Sequence, residues 1–112
     1  MSDNNRKGCY PFHEAQTAVN NGSEVSVNRG MVNGIIAVTG NAVNFSLTVK
    51  GKSNDTDDYT SISVINEETL VISPTITVNG KYRIGLTCYT KIQIPLTAIA
   101  SGAVTVKMQS AD

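Results

Sequence analysis

The sequence predicts an all-β fold: a two-sheet antiparallel sandwich, jelly-roll-like, of about eight strands. Three observations predict it. From residue 24 onward apolar and polar residues alternate with a period of two. The alternating runs are rich in Val, Ile and Thr, which favour strands. Short segments containing Gly, Asn or Ser separate the runs. Because each such strand has one apolar face to bury, two facing sheets are expected.

The domain organisation follows from where this alternation begins. A chain of 112 residues is long enough for one domain with its own core. Residues 1–23 show no sustained period and are predicted to form an irregular N-terminal arm, with a short helical turn across His13 to Ala18. Residues 24–112 are predicted to form the β-sandwich domain.

The strands can be assigned in chain order. The apolar or alternating runs cover residues 25–27, 34–39, 43–49, 61–64, 70–72, 75–78, 82–87, 91–97 and 104–109. The second run is nearly continuously apolar, which indicates a strand covered on both faces. Asn79-Gly80 predicts a two-residue type I′ hairpin. Pro95 lies inside a run, so that strand is expected at an edge or with a bulge.

Charge and hydropathy restrict the partners. Nine Lys and Arg balance nine Asp and Glu, and a neutral chain is not expected to bind nucleic acid. A neutral surface tends to associate, which is consistent with a subunit of an assembly. No apolar stretch is long enough for a membrane span, and no secretion signal is recognisable at the start. We therefore expect synthesis in a host cytoplasm and no membrane partner.

Few residues suggest catalysis or a cofactor. His13 is the single histidine, and Cys9 lies four residues before it, as in half of a zinc site or a nucleophile–base pair. Pro11 argues against a helix that would align them, and Cys88 is expected to be a small core residue. A disulfide between Cys9 and Cys88 is possible, but a reducing compartment favours free thiols. We predict no catalytic residue, no cofactor and no enzyme.

The segment 53–58 concentrates oxygen-bearing side chains. Asp55, Asp57 and Asp58 are weak candidates for a calcium site, because calcium prefers oxygen ligands. The alternative is a solvated turn, where Asn, Asp and Ser are common for conformational reasons. The segment lacks the glycine and the distal glutamate of an EF-hand loop.

Aromatic and basic residues outside the predicted core are the candidates for binding a partner. They are Arg6, Lys7, Tyr10, Phe12, Tyr59 and Tyr89. Tyr82 is expected to point inward. If Tyr10, Tyr59 and Tyr89 cluster, a carbohydrate- or receptor-binding surface becomes possible, although the chain has no Trp.

Residues 30–110 resemble small β-sandwich virion proteins of tailed bacteriophages, because five segments appear in the same order as in those proteins. They are 35–40 (IIAVTG), 45–51 (FSLTVKG), 53–59 (SNDTDDY), 80–84 (GKYRI) and 101–106 (SGAVTV). The resemblance implies a non-enzymatic virion protein, a capsid decoration or tail-associated subunit, whose partners are capsid or tail proteins. Copies would form a symmetric homo-oligomer, a trimer or higher. The arm would order on neighbouring subunits. A carbohydrate- or receptor-binding module on a fibre or particle surface is the alternative.

Overall fold

The protein is all-β, as predicted. A computed structural model describes residues 10–27, 32–54 and 56–110, and none of these residues is helical. Thirteen short strands replace the eight expected, because several predicted strands are interrupted. They are β1 (Tyr10–Gln16), β2 (Val25–Ser26), β3 (Asn33–Gly40), β4 (Ser46–Thr48), β5 (Lys50–Lys52), β6 (Thr60–Ser61), β7 (Val64–Asn66), β8 (Ile72–Ser73), β9 (Thr75–Ile76), β10 (Gly80–Gly85), β11 (Lys91–Gln93), β12 (Leu96–Ala98) and β13 (Val104–Ser110).

One layer is a six-stranded antiparallel sheet in the order β1-β13-β3-β10-β7-β8. Its centre is the long pairing of β3 with β13, which runs from Gly34 opposite Ser110 to Gly40 opposite Val104. On its other side β3 pairs with β10, with Ile36 opposite Tyr82. The two edges of this sheet are therefore β1 and β8, which lie far apart in both sequence and space.

The second layer consists of two short sheets, β2-β11-β5-β6 and β12-β4-β9. The same chain segments continue from one sheet into the other, since only Val49 separates β4 from β5 and only two residues separate β11 from β12. One of those two is Pro95, whose carbonyl oxygen accepts a hydrogen bond from Thr48 N at 3.0 Å. Proline cannot donate a ladder hydrogen bond, so the predicted irregularity at Pro95 is confirmed.

The core lies between the layers, and the alternation in sequence predicts most of its composition. Val104, Val106 and Met108 are fully buried on β13, and Leu47 and Val49 are fully buried in the opposite layer. Each such side chain stabilises the fold by about 1.5–3 kcal/mol relative to an exposed position. Tyr82 is also buried, as expected.

The prediction of an irregular arm with a helical turn is wrong over residues 10–16. These residues form β1, which pairs with β13 from Tyr10 opposite Met108 to Gln16 opposite Val104. The register shifts on both sides of His13, so Phe12 and His13 are both buried although they are adjacent in sequence. Because the register shifts twice, buried and exposed residues do not alternate along β1, and the sequence lacks the two-residue period by which a strand is recognised.

The predicted hairpin at Asn79-Gly80 is also wrong. β9 pairs with β4 in the second layer, whereas β10 pairs with β3 and β7 in the first, so this turn connects two layers. The Asn79 side chain donates a hydrogen bond from Nδ2 to the carbonyl oxygen of Gly40 at 2.9 Å. The sequence shows the turn, but its role depends on pairings with distant strands.

Tyr82 provides a prediction about pH. Its hydroxyl donates a hydrogen bond to the carbonyl oxygen of Val78 at 2.7 Å, and burial raises the pKa of this hydroxyl. Below the ordinary tyrosine pKa of about 10, both the folded and the unfolded state keep the proton. Above that pH the unfolded state ionises first, so the free energy of unfolding should fall.

Urea unfolding of the wild type and of Tyr82→Phe, measured below and above about pH 10, tests this. At neutral pH the free energy of unfolding of the variant should be lower by about 1 kcal/mol, because the hydrogen bond of the hydroxyl is lost. It should then show a smaller decline than the wild type at high pH. An equal decline in both proteins would contradict the assignment to Tyr82.

Candidate functional site: an apolar sheet edge

An exposed apolar surface lies at one edge of the six-stranded sheet. Leu70, Val71, Ile72 and Val78 are 70%, 61%, 64% and 56% exposed, and we call these four residues the apolar edge. Ile72 belongs to β8, the last strand of the sheet. Soluble proteins usually protect edge strands with charge or irregularity, because an uncovered edge can pair with another chain. Exposed apolar residues at such an edge indicate a binding surface.

The turn that leads into the apolar edge is well fixed. The Oδ1 atom of Asn66 accepts hydrogen bonds from the backbone N–H groups of Glu68 at 2.8 Å and Thr69 at 3.0 Å. The N–H group of Leu70 donates to the carbonyl oxygen of Asn66 at 2.8 Å. Leu70 has a φ of 63°, a conformation unfavourable for a residue with a Cβ. A strained leucine with an exposed side chain suggests a functional constraint.

A small cavity of about 240 Å³ adjoins this edge. Val71 and Val78 of the apolar edge line it, together with the buried Val64 and Tyr82. Thr69, Ser73, Thr75 and Thr77 add hydroxyl groups to its wall. The surface therefore combines an open strand edge, apolar side chains and a recess that an apolar side chain of a partner could enter.

The predicted partner-binding residues do not form one surface. Phe12 is 2% exposed and part of the core, so it is not available to a partner. Tyr10 is half-buried and packs against the core from β1. Arg6 and Lys7 lie outside the described residues, as does Cys9.

Tyr59 and Tyr89 both lie beside β5. The Lys52 ammonium is 4.8 Å from the centroid of the Tyr59 ring, and the Tyr59 hydroxyl donates a hydrogen bond to Glu24. The Tyr89 ring lies next to Gly51, since a Cβ added to that glycine would be 2.9 Å from it. Lys52 thus covers part of the Tyr59 ring that a sugar would need for stacking.

The acidic segment forms a turn. Asn54 Oδ1 accepts hydrogen bonds from Thr56 N at 2.9 Å and from the Thr56 hydroxyl at 2.6 Å. Asp57 and Asp58 are exposed, while Asp55 lies outside the described residues. Within the ranges that the structure describes, no three metal-ligating side chains come together. Calcium binding by the three aspartates therefore stays a prediction, and the observed bonds are those of a turn.

His13 and Cys88 occupy different environments. The His13 ring is buried, and its Nε2 donates a hydrogen bond to the carbonyl oxygen of Ile94 at 2.7 Å. It therefore packs between the layers. Cys88 is an exposed free cysteine in a turn with a φ of 77°, so its predicted place in the core is wrong.

Sequence reasoning did not identify the apolar edge. It predicted a strand at residues 70–72, but a short apolar run has the same pattern whether it is buried or exposed. The available signal was the absence of alternation directly after the polar turn 66–69. Of the part of the chain that the structure describes, no segment is a helix that could cross a membrane.

Two solved structures share this fold. The crystal structure of the SPBc2 prophage-derived protein YomS matches with a TM-score of 0.81 and 19% identity, covering 89% of this chain and 88% of YomS. The crystal structure of the PBSX exported protein XepA matches with a TM-score of 0.84 and 18% identity over 89% of this chain. This chain covers 36% of XepA. A search among curated proteins found no match.

A family model also matches the sequence of this chain. The XepA family model matches residues 9–110, and the chain belongs to the XepA family. The resemblance to phage proteins seen in the sequence is thereby confirmed at the level of a phage-derived family.

Proposed function

We propose that this protein is a non-enzymatic structural subunit of a phage particle that binds the capsid or tail lattice as a decoration or accessory protein. The observation that carries the proposal is the apolar edge. Its four residues are exposed, and β8 has no second neighbouring strand within the part of the chain that the structure describes. A particle protein that covered this edge would bury the apolar side chains and could extend the sheet by one strand.

Two further observations support a place in an assembly. The chain belongs to a phage-derived family, and its net charge is zero, so long-range repulsion between copies is small. We propose a symmetric homo-oligomer, a trimer or higher, located in the virion. The neighbour XepA is described as an exported protein, which is consistent with a role outside the host cytoplasm.

Binding to particles tests the proposal. The purified protein is sedimented with particles of the phage that encodes it, and the bound fraction is compared with that of Leu70→Ser/Ile72→Ser. Loss of two exposed anchors from the contact should weaken binding by at least about tenfold. The fold should persist, because neither side chain is buried.

Val19→Ser/Val43→Ser is the matched control, since these valines are 62% and 49% exposed outside the apolar edge. This variant should bind like the wild type. Equal binding by wild type and edge variant would show that the apolar edge is not the contact. A wild type that never sediments with particles would overturn the proposed function.

The alternative function is a carbohydrate- or receptor-binding module. Tyr59 and Tyr89 would carry it, because both lie beside β5. A glycan array distinguishes the two functions: binding that is lost in Tyr59→Ala/Tyr89→Ala would support the alternative.

A further inference from the structure

The sequence contains three Asn-Gly pairs, at residues 21–22, 33–34 and 79–80. Asparagine deamidates most readily before glycine, because a residue without a side chain leaves its backbone nitrogen sterically open. That nitrogen gives up its proton and attacks Cγ of the asparagine. The side-chain amide leaves as ammonia, and water opens the resulting succinimide to aspartate or isoaspartate. The hydrogen bonds of the three glycine nitrogens therefore decide which asparagine reacts in the folded protein.

In two of the three pairs the glycine nitrogen is held by a strand ladder. The N–H group of Leu86 donates to the carbonyl oxygen of Val32 at 2.8 Å, one residue beyond the register of β10 with β3. From there every second pair exchanges two hydrogen bonds, and these pairs include those formed by Gly34 and by Gly80. Both glycine N–H groups thus donate within the six-stranded sheet, and only opening of that sheet would free them.

The pair Asn21-Gly22 lies outside the strands, in the exposed segment between β1 and β2. The side chain of Asn21 forms no hydrogen bond with the part of the chain that the structure describes, whereas Asn79 donates to the carbonyl oxygen of Gly40. The N–H group of Gly22 donates to Oδ1 of Asn20 at 2.7 Å. This acceptor belongs to an exposed side chain, so its rotation frees the nitrogen without any change in the backbone.

We infer that Asn21 is the site at which the folded protein modifies itself, and that the Asn20 side chain sets the rate. Once released by Asn20, the nitrogen of Gly22 attacks Cγ of Asn21, ammonia leaves, and hydrolysis of the succinimide completes the reaction. Either product replaces a neutral amide with a carboxylate, so the neutral chain gains one negative charge. The inference is independent of the proposed function.

The isoaspartate product also lengthens the backbone between two fixed points. On one side Asn20 exchanges backbone hydrogen bonds of 3.1 and 2.8 Å with Leu96. On the other side the N–H group of Ser23 donates to the carbonyl oxygen of Phe12 at 3.1 Å. Isoaspartate inserts one methylene group into the short connection between them, which has to be accommodated by a shift of one attachment. The modified protein should therefore unfold at a lower urea concentration.

Conversion of each Asn-Gly pair can be measured in the full chain during incubation at mildly alkaline pH. Peptide mass spectrometry gives the converted fraction, and an isoaspartate-specific methyltransferase identifies the isoaspartate product. Asn21 should convert at least about tenfold faster than Asn33 and Asn79, whose glycine nitrogens are freed only when the sheet opens. In denaturing urea this difference should disappear, because the three pairs then have the same chemistry.

Asn20→Ala tests the control of the rate. It removes the acceptor of the Gly22 N–H group and should speed conversion of Asn21 about fivefold, the factor expected for the loss of one hydrogen bond. Asn20→Asp is the matched control, because it keeps an oxygen acceptor and should react no faster than the wild type. The rates at Asn33 and Asn79 report whether each variant is folded, since unfolding would raise them as well.

Asn21→Gln tests the consequence for stability, because glutamine would have to form a six-membered ring and reacts far more slowly. After incubation the variant should keep its urea midpoint, while the midpoint of the wild type falls as isoaspartate accumulates. Conversion of Asn33 or Asn79 in the folded protein as fast as that of Asn21 would overturn the assignment of the site. An unchanged rate in Asn20→Ala would overturn the role of Asn20, and an unchanged midpoint of the converted wild type would overturn the structural consequence.

Discussion

Gly40→Ala should destabilise the protein by about 3 kcal/mol, from the combined cost of backbone strain and overpacking. Gly40 ends β3 opposite Val104 and has a φ of 120°, which residues with a side chain rarely adopt. A Cβ at this position would be 2.3 Å from the carbonyl oxygen of Ala103, a backbone atom. The strand ends would therefore have to separate. Urea unfolding followed by circular dichroism measures the loss.

Gly85→Ala is the matched control for this prediction. Gly85 ends β10 in the same sheet, but a Cβ there would meet no atom within 4 Å and its φ is not positive. The variant should be neutral or slightly more stable, since alanine reduces the freedom of the unfolded chain. If the two variants differed from each other by less than about 0.5 kcal/mol, the strain at Gly40 would not have the effect that we expect.

The contrast between β13 and β1 shows which parts of the fold could be predicted. β13 alternates without interruption, and its buried Val104, Val106 and Met108 follow directly from the period of a half-buried strand. In β1 the bulges around His13 place two consecutive residues in the core. A bulge is stabilised by contacts with other strands, so local sequence contains no pattern from which to infer it.

The apolar edge could not be predicted from the sequence, because its exposure depends on pairings between distant strands. The exposure of Leu70 depends on β8 being the last strand of its sheet. Periodicity describes the two faces of a strand, but not which strand has a neighbour.

His13→Ala should lower the free energy of unfolding by about 3 kcal/mol, as expected for a large buried side chain whose removal leaves a cavity and an unpaired carbonyl. The ring is 3% exposed, and its Nε2 donates across the sandwich to Ile94 O, 81 residues away. It also packs on Gly22, where a Cβ would be 2.7 Å from Nε2. His13 therefore connects β1 with the turn that follows it and with the second layer.

His13→Gln separates the two contributions, because a glutamine amide can still donate a hydrogen bond to Ile94 O while it fills less of the space. We expect His13→Gln to retain more stability than His13→Ala, by about the value of one buried hydrogen bond, roughly 1 kcal/mol. Urea unfolding of both variants at neutral pH measures the difference. If His13→Ala unfolded at the same urea concentration as the wild type, the ring would not be the connection between layers that its contacts indicate. A large loss in both variants would instead show that the shape of the ring matters more than its hydrogen bond. Each outcome measures how firmly β1 is held, and β1 is the strand at one edge of the sheet whose other edge we propose as the binding surface.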